Sequence, residues 1–322
     1  RQFEVVKTLC VKAQMKMGKT KNLIEYITKN YNGKLKEARI IFISFRRTFS
    51  SNIKEKFPEF VLYSDVKGEL MQNKIIVQGE SLYRIPILPG TEPPDLLILD
   101  ESESIFEQFN SGLFKRFERC FSTFQWLLKY SKRVIAMDAY LTDRTARMIE
   151  RIRGGEIYYH KNEYKNAIED NYYFTYDKML WLESMYKAIE KGEKIVIPTN
   201  SLEEAEIIYE LLMTKYPEKN IKCYSSKTSE EEKKEHFSNV DIYWLYDILI
   251  YTPTISAGVS FEIQHYDEMY AYFTDRSCPV ETCLQMMGRI RNIKTKKYNI
   301  CLAVQPCNFP TNIDDIKSGL YD

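Results

Sequence analysis

Ala13-Gln14-Met15-Lys16-Met17-Gly18-Lys19-Thr20 is the stretch that decides the fold of this 322-residue chain. An apolar, β-branched run ends just before it at Val11. A helix-period stripe, Leu23, Ile24, Ile27 and Tyr31, follows it and stops near Gly33. Gly-Lys-Thr between a strand and a helix reads as a phosphate loop. Backbone N–H groups at the helix N-terminus attract an anion, the lysine adds a point charge, and the hydroxyl reaches a Mg²⁺ ion. Lys16, Met17, Gly18, Lys19 and Thr20 are therefore candidate nucleotide contacts, with Thr20 also a candidate Mg²⁺ ligand. Ala13 and Lys16 stand where many such loops carry glycine.

Further along, the apolar run Leu96-Leu97-Ile98-Leu99 closes on Asp100-Glu101. Ligands of open α/β sheets lie beyond the carboxyl ends of the strands, where this pair falls. Asp100 is expected to hold Mg²⁺, mostly through water, because that ion dehydrates reluctantly. Glu101 is expected to orient or deprotonate the attacking water. Glu103 reads instead as an acid that complements the following helix dipole. Near the other end, Gln285-Met286-Met287-Gly288-Arg289-Ile290-Arg291 sets two arginines close together. Gln285, Arg289 and Arg291 are expected to serve hydrolysis from a second domain, as arginine fingers stabilising transferred charge.

Lys+Arg number 46 against 45 for Asp+Glu, so nucleic acid, if bound, must be met by a local groove rather than a global basic field. No apolar run approaches the ~20 residues that span a bilayer, so no membrane partner is expected. The seven cysteines include no Cys-x-x-Cys, and with three histidines they match no common zinc spacing. They read as free thiols of a reducing, intracellular compartment. The chain opens on Arg1 without a methionine and reads as a piece of a longer protein.

Short β-branched segments alternate with helical ones along the whole length, which implies parallel sheets covered by helices. The first half offers strands at Val5–Val11, Ile40–Ser44, Phe60–Tyr63, Lys74–Gln78, Leu96–Asp100 and Arg133–Asp138. One long helix is expected to carry Ile105, Phe109, Leu113, Phe117, Phe121, Phe124 and Leu128 as a core stripe. The polar stretch from Arg151 to Asp170 reads as a connection between domains, containing a strand or two. The pattern then restarts at Lys194–Pro198, Ile221–Tyr224, Ile248–Thr252, Glu268–Phe273 and Tyr298–Val304, with capping boxes beginning at Ser201 and Ser229. The expectation is two α/β domains, residues 1–155 and 156–322.

Seven segments in this order resemble superfamily 2 helicases, and within them the viral origin-binding-protein type. They are the loop Ala13–Thr20, then Ile43-Ser44-Phe45-Arg46-Arg47-Thr48-Phe49-Ser50, then Val77-Gln78-Gly79-Glu80-Ser81-Leu82-Tyr83-Arg84. Leu97–Glu101, Ala136-Met137-Asp138-Ala139-Tyr140-Leu141-Thr142, Ile250–Phe261 and Gln285–Arg291 complete the series. The resemblance implies two tandem RecA-like domains, ATP and Mg²⁺ as cofactors, and a strand of nucleic acid crossing both domains. It assigns nucleic-acid contacts to Ser44, Arg46, Arg47, Ser81 and Arg84 in the first domain, and to Thr199, Asn200, Thr252 and Thr254 in the second. Gly258 joins the nucleotide contacts, and Thr142 couples the two activities. The implied protein is an ATP-dependent motor on single-stranded and forked DNA, working 3′ to 5′ during viral replication beside flanking domains or other replication proteins. The alternative is an ATP-switched DNA-binding initiator or assembly module without processive unwinding.

Overall fold

Every residue of β2 (Ile40–Ser44) and β5 (Leu96–Asp100) is buried. Such continuous apolar runs belong to parallel strands covered on both faces. The computed structural model describes residues 7–14, 17–31, 38–45, 54, 57–112, 114–164, 169–255, 259–304 and 312–318. With β1 (Thr8–Lys12), β3 (Val61–Leu62), β4 (Lys74–Gln78), β6 (Arg133–Asp138) and β7 (Tyr158–Lys161), these strands make a seven-stranded sheet in the order β3-β4-β2-β5-β6-β1-β7. All its pairings are parallel.

Because side chains alternate across a strand, the two faces sort by parity. Ile40, Phe42, Leu96, Ile98, Ile135 and Met137 pack with Leu23, Ile27 and Tyr31 of helix Lys19–Tyr31. Ile41, Ile43, Leu97, Leu99, Val134 and Ala136 pack with Phe124, Leu127 and Leu128 of helix Phe117–Tyr130.

A second, six-stranded sheet is built from β8 (Asn171–Thr175), β9 (Ile195–Pro198), β10 (Ile221–Tyr224), β11 (Ile248–Tyr251), β12 (Glu268–Thr274) and β13 (Lys297–Ala303). Its order is β10-β11-β9-β12-β13-β8, again parallel. One face packs on Trp181, Met185 and Ile189 of helix Lys178–Glu190 and on Ile208 and Leu212 of helix Leu202–Lys215. At both expected capping boxes the N-cap bond forms: Ser201 Oγ accepts the Glu204 N–H at 3.3 Å, and Ser229 Oγ accepts the Glu232 N–H at 3.2 Å, while the Ser201 N–H goes to Thr199 Oγ1 rather than back to Glu204. Each cap stabilises its helix by about 1 kcal/mol. Among the described residues no helix is long and apolar enough to cross a membrane.

The structure departs from the sequence reading in three places. The expected long helix is two helices, Ser102–Gln108 and Phe117–Tyr130. Asn110-Ser111-Gly112 breaks it, as such turn-forming residues do; Leu113 lies outside the described residues. Ile105, Phe109, Phe124 and Leu128 of the stripe are core nonetheless, the Phe109 ring stacking on Phe114 at 4.9 Å and tilting against Phe124 at 4.9 Å, whereas Phe117 is exposed. Second, β7 pairs with β1, so the first compact unit runs through Glu169, past the expected boundary at 155/156, and takes in Ile255–Phe261. Asp170–Thr254 and Glu262–Asp322 make the other unit. Third, β8 is a strand that the pattern did not reveal. It lies at a sheet edge with Tyr172, Tyr173 and Phe174 all exposed, so no inside–outside alternation marks it.

Candidate nucleotide and nucleic-acid sites

In the first unit β1 leads into the candidate phosphate loop. The Ala13 N–H donates to the Asp138 carbonyl at 3.1 Å, which ties the end of β1 to the end of β6. Gly18 has φ +73°, with open space where a Cβ would stand. Glycine is favoured there for its backbone freedom rather than for lack of room. Helix Lys19–Tyr31 starts at the next residue, and the Asn22 N–H donates to the Gly18 carbonyl at 2.9 Å. Lys19 Nζ folds back over the loop and donates to the carbonyls of Ala13 at 2.6 Å and Gln14 at 3.4 Å. Met17 and Thr20 are half-buried beside it. Lys16 lies outside the described residues.

Two strands away, Asp100 closes β5 with 4% of its surface exposed. Its Oδ1 accepts the Glu101 N–H at 3.1 Å. Glu101 is the turning point into helix Ser102–Gln108 and holds a left-handed backbone, φ 58° and ψ 52°. For a residue with a Cβ this conformation costs roughly 1–2 kcal/mol. Strain of that kind persists where the surroundings over-determine a functional turn. An ammonium, a helix N-terminus, a hydroxyl and a buried carboxylate at one end of one sheet form the donor set that a triphosphate with Mg²⁺ needs. Thr20 and Asp100 are the groups fitted to the metal.

Asp138, between these two on β6, belongs to the matched segment Ala136–Thr142, in which the sequence reading singled out only Thr142. It is 1% exposed. Its Oδ2 accepts the Glu103 N–H at 2.9 Å and its Oδ1 the Tyr140 N–H at 2.8 Å. Burial, and then the charge of Glu101, push its pKa up to about 7, against the pull of those two N–H groups. Glu103 in turn takes the Thr142 N–H at 2.6 Å and the Thr142 hydroxyl at 3.0 Å. Thr142 Oγ1 also caps helix Asp143–Arg153 by accepting the Thr145 N–H at 3.3 Å. Glu103 is thus a cross-strand tie as well as a helix-terminal acid, and Thr142 is bonded to the segment that follows Asp100-Glu101. The available signal was a carboxylate closing the apolar run Val134–Met137, the same pattern that marks Asp100.

The expected nucleic-acid residues fare unequally. Ser44 closes β2, fully buried, and Ser81 lies in the short helix Gly79–Arg84 after β4. Arg46 and Arg47 lie outside the described residues. Arg84 is committed within its own unit. Its Nε donates to the Gly68 carbonyl at 2.7 Å, Nη1 to the Tyr63 carbonyl at 2.9 Å, and Nη2 to the Val66 carbonyl. In this arrangement the guanidinium clamps the Tyr63–Gly68 segment, a use different from the phosphate contact expected of it.

In the second unit Thr199 and Asn200 follow β9 and are 0% and 3% exposed. The Asn200 amide bridges to the end of β12, donating to the Thr274 carbonyl at 2.7 Å and accepting the Thr274 N–H at 2.8 Å. Thr199 Oγ1 accepts the Ser201 N–H at 3.2 Å. Thr252 Oγ1 donates to Thr254 Oγ1 at 3.1 Å beyond β11. These side chains shape the carboxyl edge of the second sheet. Gln285 lies on helix Val280–Met287, and Arg289 and Arg291 follow it, all three half-buried. The Tyr251 hydroxyl donates to the Met286 carbonyl at 2.9 Å and holds that helix end to β11. Gly258 lies outside the described residues.

A family model described as "Origin of replication binding protein" matches residues 4–168 and 161–308. A relative from African swine fever virus (strain Badajoz 1971 Vero-adapted), named "Putative helicase/primase complex protein", is 49% identical over 98% of this chain and 30% of its own length. A "Replication origin-binding protein" of human herpesvirus 6A is 28% identical over 88% of this chain and 36% of its own length. The chain therefore spans about a third of these curated relatives. Among solved structures, Saccharomyces cerevisiae Dbp5 bound to RNA and ADP BeF3 superposes with a TM-score of 0.63. It is 12% identical, with 93% of this chain and 80% of that one covered. That likeness establishes the fold as two tandem RecA-like units.

Proposed function

The chain belongs to the origin-of-replication binding protein family, and from that premise we propose that it is the ATP-driven motor core of a viral replication helicase. One observation carries the reading. Lys19 and Thr20 after β1 stand at the same sheet end as Asp100 and Glu101 after β5, with only β6 between the two strands. In this reading Lys19 leaves its own loop carbonyls for the β/γ-phosphates. The N–H groups of the first turn of helix Lys19–Tyr31 take the remaining phosphate oxygens. Mg²⁺, held by Thr20 and Asp100, would neutralise charge developing on those oxygens. Glu101, fixed by its strained turn, orients the attacking water and accepts its proton. Asp138 and Glu103 hold the Glu101 turn and the Thr142 segment in register. Gln285, Arg289 and Arg291 complete hydrolysis from the second unit. Single-stranded DNA runs along the carboxyl edges of both sheets, past Ser44, Ser81, Thr199, Asn200, Thr252 and Thr254, with Arg46 and Arg47 supplying charge.

The test is ATP turnover with and without single-stranded DNA, followed by strand displacement on tailed duplexes. DNA-stimulated turnover together with displacement is expected. The family's origin-binding description favours one second reading, an ATP-switched initiator module. Stimulated turnover without displacement would select it.

A further inference from the structure

Between helix Lys19–Tyr31 and the β6-β1-β7 side of the first sheet lies a cavity of about 380 Å³. That places it at the lower end of the ~300–1,000 Å³ typical of small-molecule sites. Leu9 and Val11 of β1, Ile135 and Met137 of β6, and Leu23 of the helix make its apolar wall. Ala13, Met17 and Lys19 line it as well, so the cavity is continuous with the phosphate loop. Its polar groups come partly from a strand that the motifs leave out. His160 of β7 pairs with Val11, and the N–H of Asn162, just past β7, donates to the Lys12 carbonyl at 2.8 Å. Both therefore stand at the loop end of β1. Asn162 Oδ1 accepts the Tyr164 N–H at 3.0 Å, so the side-chain NH₂ is its donor toward a ligand.

We propose that this cavity is the nucleobase pocket of the site, with His160 and Asn162 reading the edge of the base. The inference rests on the nucleotide reading above. A triphosphate seated at Gly18–Thr20 carries its base at the other end of a short tether, and this cavity opens from the same loop. A purine has apolar faces and a polar edge. Val11 and Met137, side by side on one wall, match one face, Leu23 of the helix matches the other, and the Met17 thioether adds a polarisable contact. Adenine presents a ring-nitrogen acceptor beside an amino donor, which the Asn162 NH₂ and a His160 ring nitrogen complement. β7 thereby acquires a purpose: it closes the open edge of β1 and brings the base-reading groups to the loop.

The test is equilibrium displacement of a fluorescent ATP analogue from the whole chain by ATP, GTP, CTP and inorganic tripolyphosphate, with Mg²⁺ present. ATP should displace the analogue well below the concentration that tripolyphosphate needs. Asn162→Ala and His160→Ala should each weaken ATP about 3–10-fold, the span of one net hydrogen bond. Both should leave tripolyphosphate unchanged and narrow the preference for ATP over CTP. Val11→Phe, which fills the cavity, should weaken every nucleotide but not tripolyphosphate. The two substitutions on and beside β7 keep the test valid if the cavity-filling variant folds poorly. Equal affinity for ATP and tripolyphosphate, or unchanged ATP affinity in both β7 variants, would overturn the pocket while leaving the phosphate loop standing. Failure of the wild-type chain to bind either compound would overturn both.

Discussion

Arg84→Ala separates a structural arginine from a phosphate-binding one. The side chain donates to three carbonyls of one short segment, those of Tyr63, Val66 and Gly68. A hydrogen bond from a charged donor contributes about 1.5–3 kcal/mol where the acceptor is sheltered. Tyr63 is buried, Val66 half-buried and Gly68 exposed, so the three acceptors regain water to different extents on truncation. Counting one bond in full and the others at a fraction gives a destabilisation of about 2–3 kcal/mol. Arg84→Lys should recover less than half of it, because an ammonium lacks the planar fork that spans three acceptors. Urea denaturation measures this loss directly. In parallel, the log–log salt slope of single-stranded DNA binding should stay unchanged, whereas a lost phosphate contact would flatten it by ~0.7. A variant as stable as wild type with a flattened slope would show that Arg84 serves the nucleic acid and that the carbonyl clamp is dispensable.

Lys19→Ala should abolish turnover and weaken ATP binding, and normal turnover in that variant would remove the phosphate loop from the mechanism. Glu101→Gln keeps the shape and loses the base. It should retain ATP affinity while turnover falls by on the order of 10²–10⁴, and lost affinity with intact turnover would mark Glu101 as structural. Arg289→Ala should still bind ATP but hydrolyse it ~10³–10⁵ times more slowly if the second unit supplies an arginine finger; an unchanged rate would place hydrolysis within the first unit alone. Asp138 holds its proton to about pH 7, while an unfolded aspartate gives it up near pH 4. Between those values the folded state binds more protons, so this residue's contribution to stability should decline as pH rises from about 4 to 7 and then level off. Asp138→Asn should flatten that decline in denaturation curves at pH 5 and pH 8; an unaltered pH profile would show that the carboxyl titrates normally.

What the sequence made legible was local. The candidate phosphate loop is contiguous, and the sequence alone marks Gly18, whose φ is +73°, as the turn that opens helix Lys19–Tyr31. Asp100 is legible because it ends an unbroken apolar run, and the Ser201 and Ser229 caps because their partners lie three residues away. What was not legible depends on partners distant in the chain. Arg84 belongs to a clamp because Tyr63–Gly68 folds under it. Asp138 is shifted because three strands bury it beside Glu101. β7 belongs to the first unit because β1 has an edge to cover, which no pattern within Tyr158–Lys161 can show. The Phe109–Phe124 stripe kept its four-residue spacing across a break, so periodicity found the core but not the helix end.

The topology also sets an order of assembly. β1 is made before the other strands of its sheet, yet its partners are β6 and β7, with Thr8 beside Val134 and Leu9 beside Tyr158. At ~5–20 residues per second, roughly 6–30 s of synthesis separates them. Until then the strand that leads into Gly18–Thr20 has no neighbour, and that loop has no sheet end to stand on. The second unit repeats the arrangement, its first strand β8 waiting for its last, β13. Non-local parallel pairing of this kind folds slowly. In each unit the earliest strand made is the last to gain its neighbours, so a nascent chain presents Gly18–Thr20 at a finished sheet end only when the sheet beneath it is complete.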